Sequence, residues 1–200
     1  MARFVYLLNT VGPPRSIAEP PDGHLTSIVD QYDLDAAVLE GAQGVLLSQH
    51  LDERHLGEHA ALLRGFLERG GAVVLNGPVA RPYLDPPGAY TPLAPTGARD
   101  WLLEIGAAHP IMTGVRAEEL SYRRGVIGFW ARGFFAPPEQ AVVLTRFAAS
   151  GHAADYVWTN AAGGRLFVHP GNDIWGYSGD GTTAAPIFAR VLDWCAGALA

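Results

Sequence analysis

Apolar residues recur along the chain in two rhythms. Short continuous runs occur at Phe4 to Leu8 and in "GVLLSQH" (44–50), "AVVLNG" (72–77), "AVVLTRF" (141–147) and "RLFVHP" (165–170). Runs of this length, closed by polar or turn residues, predict strands buried on both faces of a sheet. The segment "LDERHLGEHAALLRGFLERGG" (51–71) has a different period. Its Leu56, Ala60, Leu63 and Leu67 share a helical face, acids lie near its start, and Gly70-Gly71 closes it. A helix over about 53–69 is therefore expected between strands at 44–48 and 72–76, after a first strand at 3–9. Strand, helix and strand with tight connections make a βαβ unit, which requires a parallel sheet.

The other segments are read by the same rules. "VGPPRSIAEPPDG" (11–23) holds four prolines and is expected to be a loop. "LTSIVD" (25–30) fits a second strand, and "DLDAAVLEGA" (33–42) a short helix or turn. "RDWLLEIG" (99–106) is strand-like, as is "SYRRGVIGFWARGFF" (121–135), although glycines break the latter. "DYVWTN" and "RLFVHP", joined by "AAGG", predict an antiparallel hairpin. Thr182 and Thr183 are placed to cap a last helix in which Ile187, Val191 and Trp194 share a face. The sum is one domain over 1–200, an α/β three-layer sandwich with a mostly parallel sheet and an antiparallel hairpin.

Composition narrows the partners. All fourteen basic residues are Arg, and the net charge of −6 disfavours a nucleic-acid backbone as partner. No apolar stretch reaches the roughly 18 residues of a membrane helix, and "MARFVYLLNT" lacks the features of a signal peptide. A cytoplasmic protein with a small-molecule ligand is expected; a homo-oligomer is left open. The single cysteine, Cys195, excludes an internal disulfide and lies among apolar neighbours of the last helix, so it is expected to be buried and inert.

Ligands of open α/β sheets bind beyond the carboxyl ends of the strands. That rule collects Asn9 and Thr10 after the first strand, Ser48, Gln49 and His50 after the third, and Asn76 after the fourth. If the second hairpin strand is parallel to these, it adds His169, Asn172 and Asp173, with Trp175 as a wall. Imidazole near neutral pH suits a general base, so His169 and His50, with Asp173, are the catalytic candidates. The same three are the right ligand types for a divalent metal, although no cofactor is required by any motif. "HPGND" (169–173) also reads as plain turn chemistry. Asp52 suits a helix cap, and His55 and His59 a solvated helix face, because "HLGEH" is not a zinc-protease motif. Neither a G-x-S-x-G elbow nor a dinucleotide fingerprint is present.

Three segments in order, "FLERGGAVVLNG", "HPIMTGVRAEELSY" and "GGRLFVHPGNDIW…FARVLDWCAGAL", resemble the class I glutamine amidotransferase-like superfamily and within it the trehalose-utilisation, or ThuA-like, proteins. The resemblance spans about residues 35 to 198 and implies a flavodoxin-like sheet and a carbohydrate-related role. Amidotransferases carry a nucleophilic Cys at the elbow after the strand equivalent to "AVVLNG"; here Asn76-Gly77-Pro78 stands there, which excludes glutaminase chemistry. The sequence thus supports a polyol-binding or polyol-processing protein, with Trp130 and Trp175 stacking on the sugar and Asn76, Asp173 and Arg132 bonding its hydroxyls. The alternative is a non-catalytic interaction or assembly module, suggested by the Trp, Phe and Arg of "YRRGVIGFWARGFFAPP" (122–138).

Overall fold

The computed structural model describes residues 1–9, 12–21 and 23–199. Eight strands form one sheet: β1 Ala2–Leu8, β2 His24–Asp30, β3 Gly44–Leu47, β4 Ala72–Asn76, β5 Leu103–Ile105, β6 Val142–Phe147, β7 Ala153–Thr159 and β8 Arg165–His169. Their spatial order is β2-β1-β3-β4-β8-β7-β6-β5. The first five pair in parallel; the last three are joined antiparallel. The parallel portion has the flavodoxin-like order, with β8 in the fifth place.

Alternation along the strands splits the core into two layers, as the period-two rule requires. Phe4 and Tyr6 of β1, Val74 of β4 and Phe167 of β8 pack toward the helix α3 Ile187–Cys195. Val5, Leu7, Val73, Leu75, Leu166 and Val168 pack on the opposite side, toward α1 Glu53–Glu58 and α2 Ala60–Glu68. Leu63, Phe66 and Leu67 of α2 are buried there, each stabilising the fold by about 1.5–3 kcal/mol.

The expected helix over 53–69 is two helices, because the backbone leaves helical geometry at His59, two residues after the poor helix former Gly57. Asp52 caps α1 through Arg54 N and His55 N. His55 and His59 are half-buried with their rings tilted at 40° and 4.3 Å apart, His55 Nε2 on Gln31 O and His59 Nδ1 on His55 O. They are helix-break packing, not a solvated face. The proline-rich segment contains one helical turn, Arg15–Ala18, where Pro14 supplies the entry. Thr182 and Thr183 do not cap α3: Pro186 holds that position, while Thr182 accepts from Ala184 N and Thr183 from Arg116 N. The segment 121–135 forms only the dipeptide strands Tyr122–Arg123, Val126–Ile127 and Gly133–Phe134, since left-handed Arg124, Gly125 and Gly128 interrupt any longer run.

One turn sets much of the site. Asn160 Oδ1 accepts from Ala162 N and Gly164 N, and its Nδ2 donates to Leu67 O. The β7–β8 hairpin therefore closes in a single register, Tyr156 opposite Val168 and Thr159 opposite Arg165. Continued by one residue, that register sets Asp155 beside His169.

Candidate functional site

The ends of β1, β3, β4 and β8 lie along one sheet edge, with His169 paired to Asn76 and Leu47 to Leu75. Asn9, Gln49, His50, Asn172 and Asp173 follow these ends; Thr10 lies outside the described residues. The side chains then divide into an interior cluster, a clamp and a cavity.

The interior cluster belongs to His169, which is fully buried. Its Nδ1 lies 2.5 Å from Asp155 Oδ1. Asp155, itself 1% exposed, accepts on Oδ2 from Trp130 Nε1 at 2.6 Å and from the Thr145 hydroxyl. The two atoms share one proton across this contact. The Trp130 ring stands 4.7 Å from the imidazole at 67°. His169 Nε2 is buried and has no hydrogen-bond partner among the described residues. His169 therefore points into the α3-side layer rather than toward His50, which is exposed at the rim. The reason is parity: residues 167 and 169 share a face of β8, and Phe167 belongs to that layer. Asp155 escaped the sequence reading, although an acid inside the strand "ADYVWT", opposite a histidine in hairpin register, was the available signal.

The clamp belongs to Asp173. Its Oδ2 accepts from Ser48 Oγ and its Oδ1 from Gln49 N, both at 2.8 Å. Asn76 donates to Leu47 O and accepts from Ile174 N. The Asn9 amide donates to His50 O across the β1–β3 gap. Trp175 is 2% exposed and meets Tyr6 edge-on at 5.4 Å. These contacts close the β1–β3 gap, where flavodoxin-like folds open a crevice. Burial pushes the Asp173 carboxyl above its usual value, against the opposing bonds from Gln49 and Ser48. A raised carboxyl favours the folded state while protonated, and that advantage fades as pH rises from the unfolded value of 3.8 through the folded one. Asp173→Asn should therefore gain relative to the wild type as pH rises through that window. Paired urea melts at several pH values check this, and parallel pH curves would refute it.

The cavity lies one step along the edge, over the ends of β3, β4 and β8. It encloses about 330 Å³ and is lined by Gln49, Tyr90, Phe129, Arg132, Gly171 and Asn172, among others. The loop forming its outer wall is tied down by three bonds: Asn172 Nδ2 and Tyr177 Oη to Phe129 O, and Arg132 Nε to Gly128 O. Gly171 admits the close approach of that loop, since a Cβ there would stand 1.5 Å from Trp130 O. Of the expected ligand-facing residues, Gln49, Asn172 and Arg132 line this cavity. Asn9, Asn76, Asp173, Trp130 and Trp175 do not; Trp130 and Trp175 are buried, so neither offers a sugar a stacking face. Phe129, 37% exposed, and Tyr90 are the aromatic surfaces present. No three His, Cys, Asp or Glu side chains are grouped as metal ligands among the described residues. His50, His169 and Asp173 thus do not form the metal constellation.

The elbow after β4 is decisive in shape. Gly77 has a left-handed φ of 89°, and its N–H donates to His169 O. A Cβ at this position would lie 2.4 Å from Gln49 Cβ and 2.6 Å from Gln49 Cα. The elbow is present, but no side chain fits on it. No protein-family model matches the chain, and no curated protein matches it. Among solved structures, the mmIFT52 N-terminal domain is similar, with a TM-score of 0.54 and 10% identity over 98% of this chain and 97% of that one. A ThuA-like protein from Bacteroides uniformis ATCC 8492 matches with a TM-score of 0.49 and 11% identity, over 94% of this chain and 89% of that one. The shared property is the α/β fold.

Cys195 lies far from this edge, at the C-terminal end of α3. It is 3% exposed, and burial pushes its thiol up to about 12. Native protein should react with a thiol reagent only at the rate of unfolding, and fully once denatured; rapid labelling of the native state would contradict this burial. Among the described residues no helix is long and apolar enough to cross a membrane.

Proposed function

We propose that the protein is a small-molecule-binding member of the class I glutamine amidotransferase-like superfamily, on its ThuA-like branch, without glutaminase chemistry. The observation that carries this reading is the cavity of about 330 Å³ at the carboxyl edge, where Gln49, Tyr90, Arg132 and Asn172 present polar groups beside Phe129. Its volume suits a monosaccharide-sized polyol, and a mixed polar and aromatic lining is the pattern of such sites. The three ordered sequence segments support the family. The crowded Gly77 supports the loss of the nucleophile. Binding is favoured over turnover because His169 is fully buried and does not line the cavity, while the Asp173 carboxylate is bonded to Ser48 and Gln49 N.

The test is a titration of the protein with simple polyols, followed by amide NMR. Shifts should concentrate at Gln49, Gly128, Phe129 and Asn172, and Tyr90→Phe with Asn172→Ala should weaken binding by about tenfold or more. Shifts confined to other surfaces would end this reading. The second reading, an interaction module, is favoured by one observation: Tyr122, Val126 and Phe129 are 44%, 48% and 37% exposed within one short segment. Replacing Tyr122 and Val126, which lie outside the cavity lining, by Ser should abolish a partner complex under that reading, and leave polyol shifts at Gln49 intact.

A further inference from the structure

The cavity has an electrostatic character that its acidic host does not share. The chain carries twenty acids and a net charge of −6, yet Arg132 is the one charged residue among those lining the cavity. Five other arginines, Arg15, Arg116, Arg123, Arg124 and Arg146, are paired with carboxylates. Arg132 forms no ion pair among the described residues. Its Nε is fixed on Gly128 O at 3.2 Å, so the guanidinium is anchored at its root while its two terminal nitrogens have no hydrogen-bond partner among the described residues. Tyr90 lines the same cavity as Arg132; burial raises its phenol, and the Arg132 charge pulls it partly back. Asp173, a carboxylate on the same edge but outside the cavity lining, accepts from Ser48 Oγ and Gln49 N. A half-enclosed cavity with one fixed cation, uncommitted neutral donors and no acid selects negative charge.

Resting on the reading that this cavity is the ligand site, we propose that its ligand is a small polyol bearing an oxyanion, a sugar carboxylate or a sugar phosphate, with Arg132 as the counter-ion. The planar guanidinium presents two parallel N–H groups to either oxyanion, and Tyr90 Oη and the Gln49 side-chain amide take the hydroxyls.

The experiment titrates the full chain with D-glucose, D-gluconate and D-glucose 6-phosphate, reading the amides of Gln49 and Asn172 and the Arg132 Nε–H signal. At least one anionic probe should bind about tenfold or more tightly than D-glucose, and the tighter of the two identifies carboxylate or phosphate. Arg132→Gln should bring the anion down to the D-glucose level, whereas Arg132→Lys should keep most of the preference. Raising salt should weaken the anions and leave D-glucose unchanged, a measurement on the wild type that holds even if a variant misfolds. Equal binding of all three probes, or an anion preference that survives Arg132→Gln, would overturn the proposal while leaving the cavity reading intact. Shifts by no probe at Gln49 or Asn172 would remove the cavity reading itself, and the anion proposal with it.

Discussion

Asp155→Ala is expected to lower the unfolding free energy by about 3–5 kcal/mol, as removal of the shared acceptor from a buried hydrogen-bonded cluster leaves several groups unpaired. Asp155 is 1% exposed and gathers three donors: the Trp130 indole N–H, the Thr145 hydroxyl and the His169 Nδ1. Its removal leaves all three unpaired in a dry interior, where each orphan costs about 1–3 kcal/mol. The total stays below their sum because the shortened side chain leaves space for rearrangement. Asp155→Asn keeps an acceptor but turns an amide N–H toward donors on one side, so its loss should be smaller and still clear. Urea denaturation checks both, as a lower midpoint at unchanged slope. A loss below about 1 kcal/mol for the alanine variant would mean that the cluster does not bind as drawn.

Gly171→Ala is expected to destabilise by about 2–4 kcal/mol and to distort the cavity as well. A methyl group at this position would meet Trp130 O at 1.5 Å and His169 Nε2 at 2.9 Å. Neither neighbour can yield cheaply. The Trp130 side chain is held by Asp155, and the adjacent Phe129 carbonyl accepts from Asn172 and Tyr177. The strain therefore passes to the loop that walls the cavity. For a domain of this size the melting temperature should fall by roughly 5–15 °C, and ligand-induced shifts at Asn172 should vanish with it. Gly176→Ala is the control, since a Cβ there has nothing within 4 Å. Equal melting temperatures for the two variants would refute the close approach at Gly171.

The candidate site was partly legible in advance. Gln49, Asn172 and Arg132 line the cavity, and the strand-end rule accounts for the first two. Arg132 was named as a donor to a polyol's hydroxyls, and not by the strand-end rule. Tyr90 carried no local signal, because it enters from a loop whose course depends on what it packs against, and Phe129 was marked only as part of a candidate interaction segment. The catalytic trio failed as a group for a simpler reason. Strand ends mark where a residue sits along the sheet, whereas a side chain's face follows parity and packing. His169 turns inward to Asp155, Asp173 clamps the β3 end, and His50 stays exposed.

By itself the sequence determined the local elements and their kind. Continuous apolar runs had to be strands, the 3.6-residue period at 53–68 had to be helical, and their alternation required a parallel sheet. It also determined the hairpin, whose register follows from a five-residue turn held by Asn160. Those properties depend on neighbours in the chain and on burial, which composition and spacing record. Only the tertiary structure decided the crowding of Gly77 by Gln49, the His169–Asp155–Trp130–Thr145 cluster and the isolation of Arg132 in the cavity. Each joins segments far apart in sequence. Its energy comes from excluded volume and desolvated polar pairing, which no local pattern encodes.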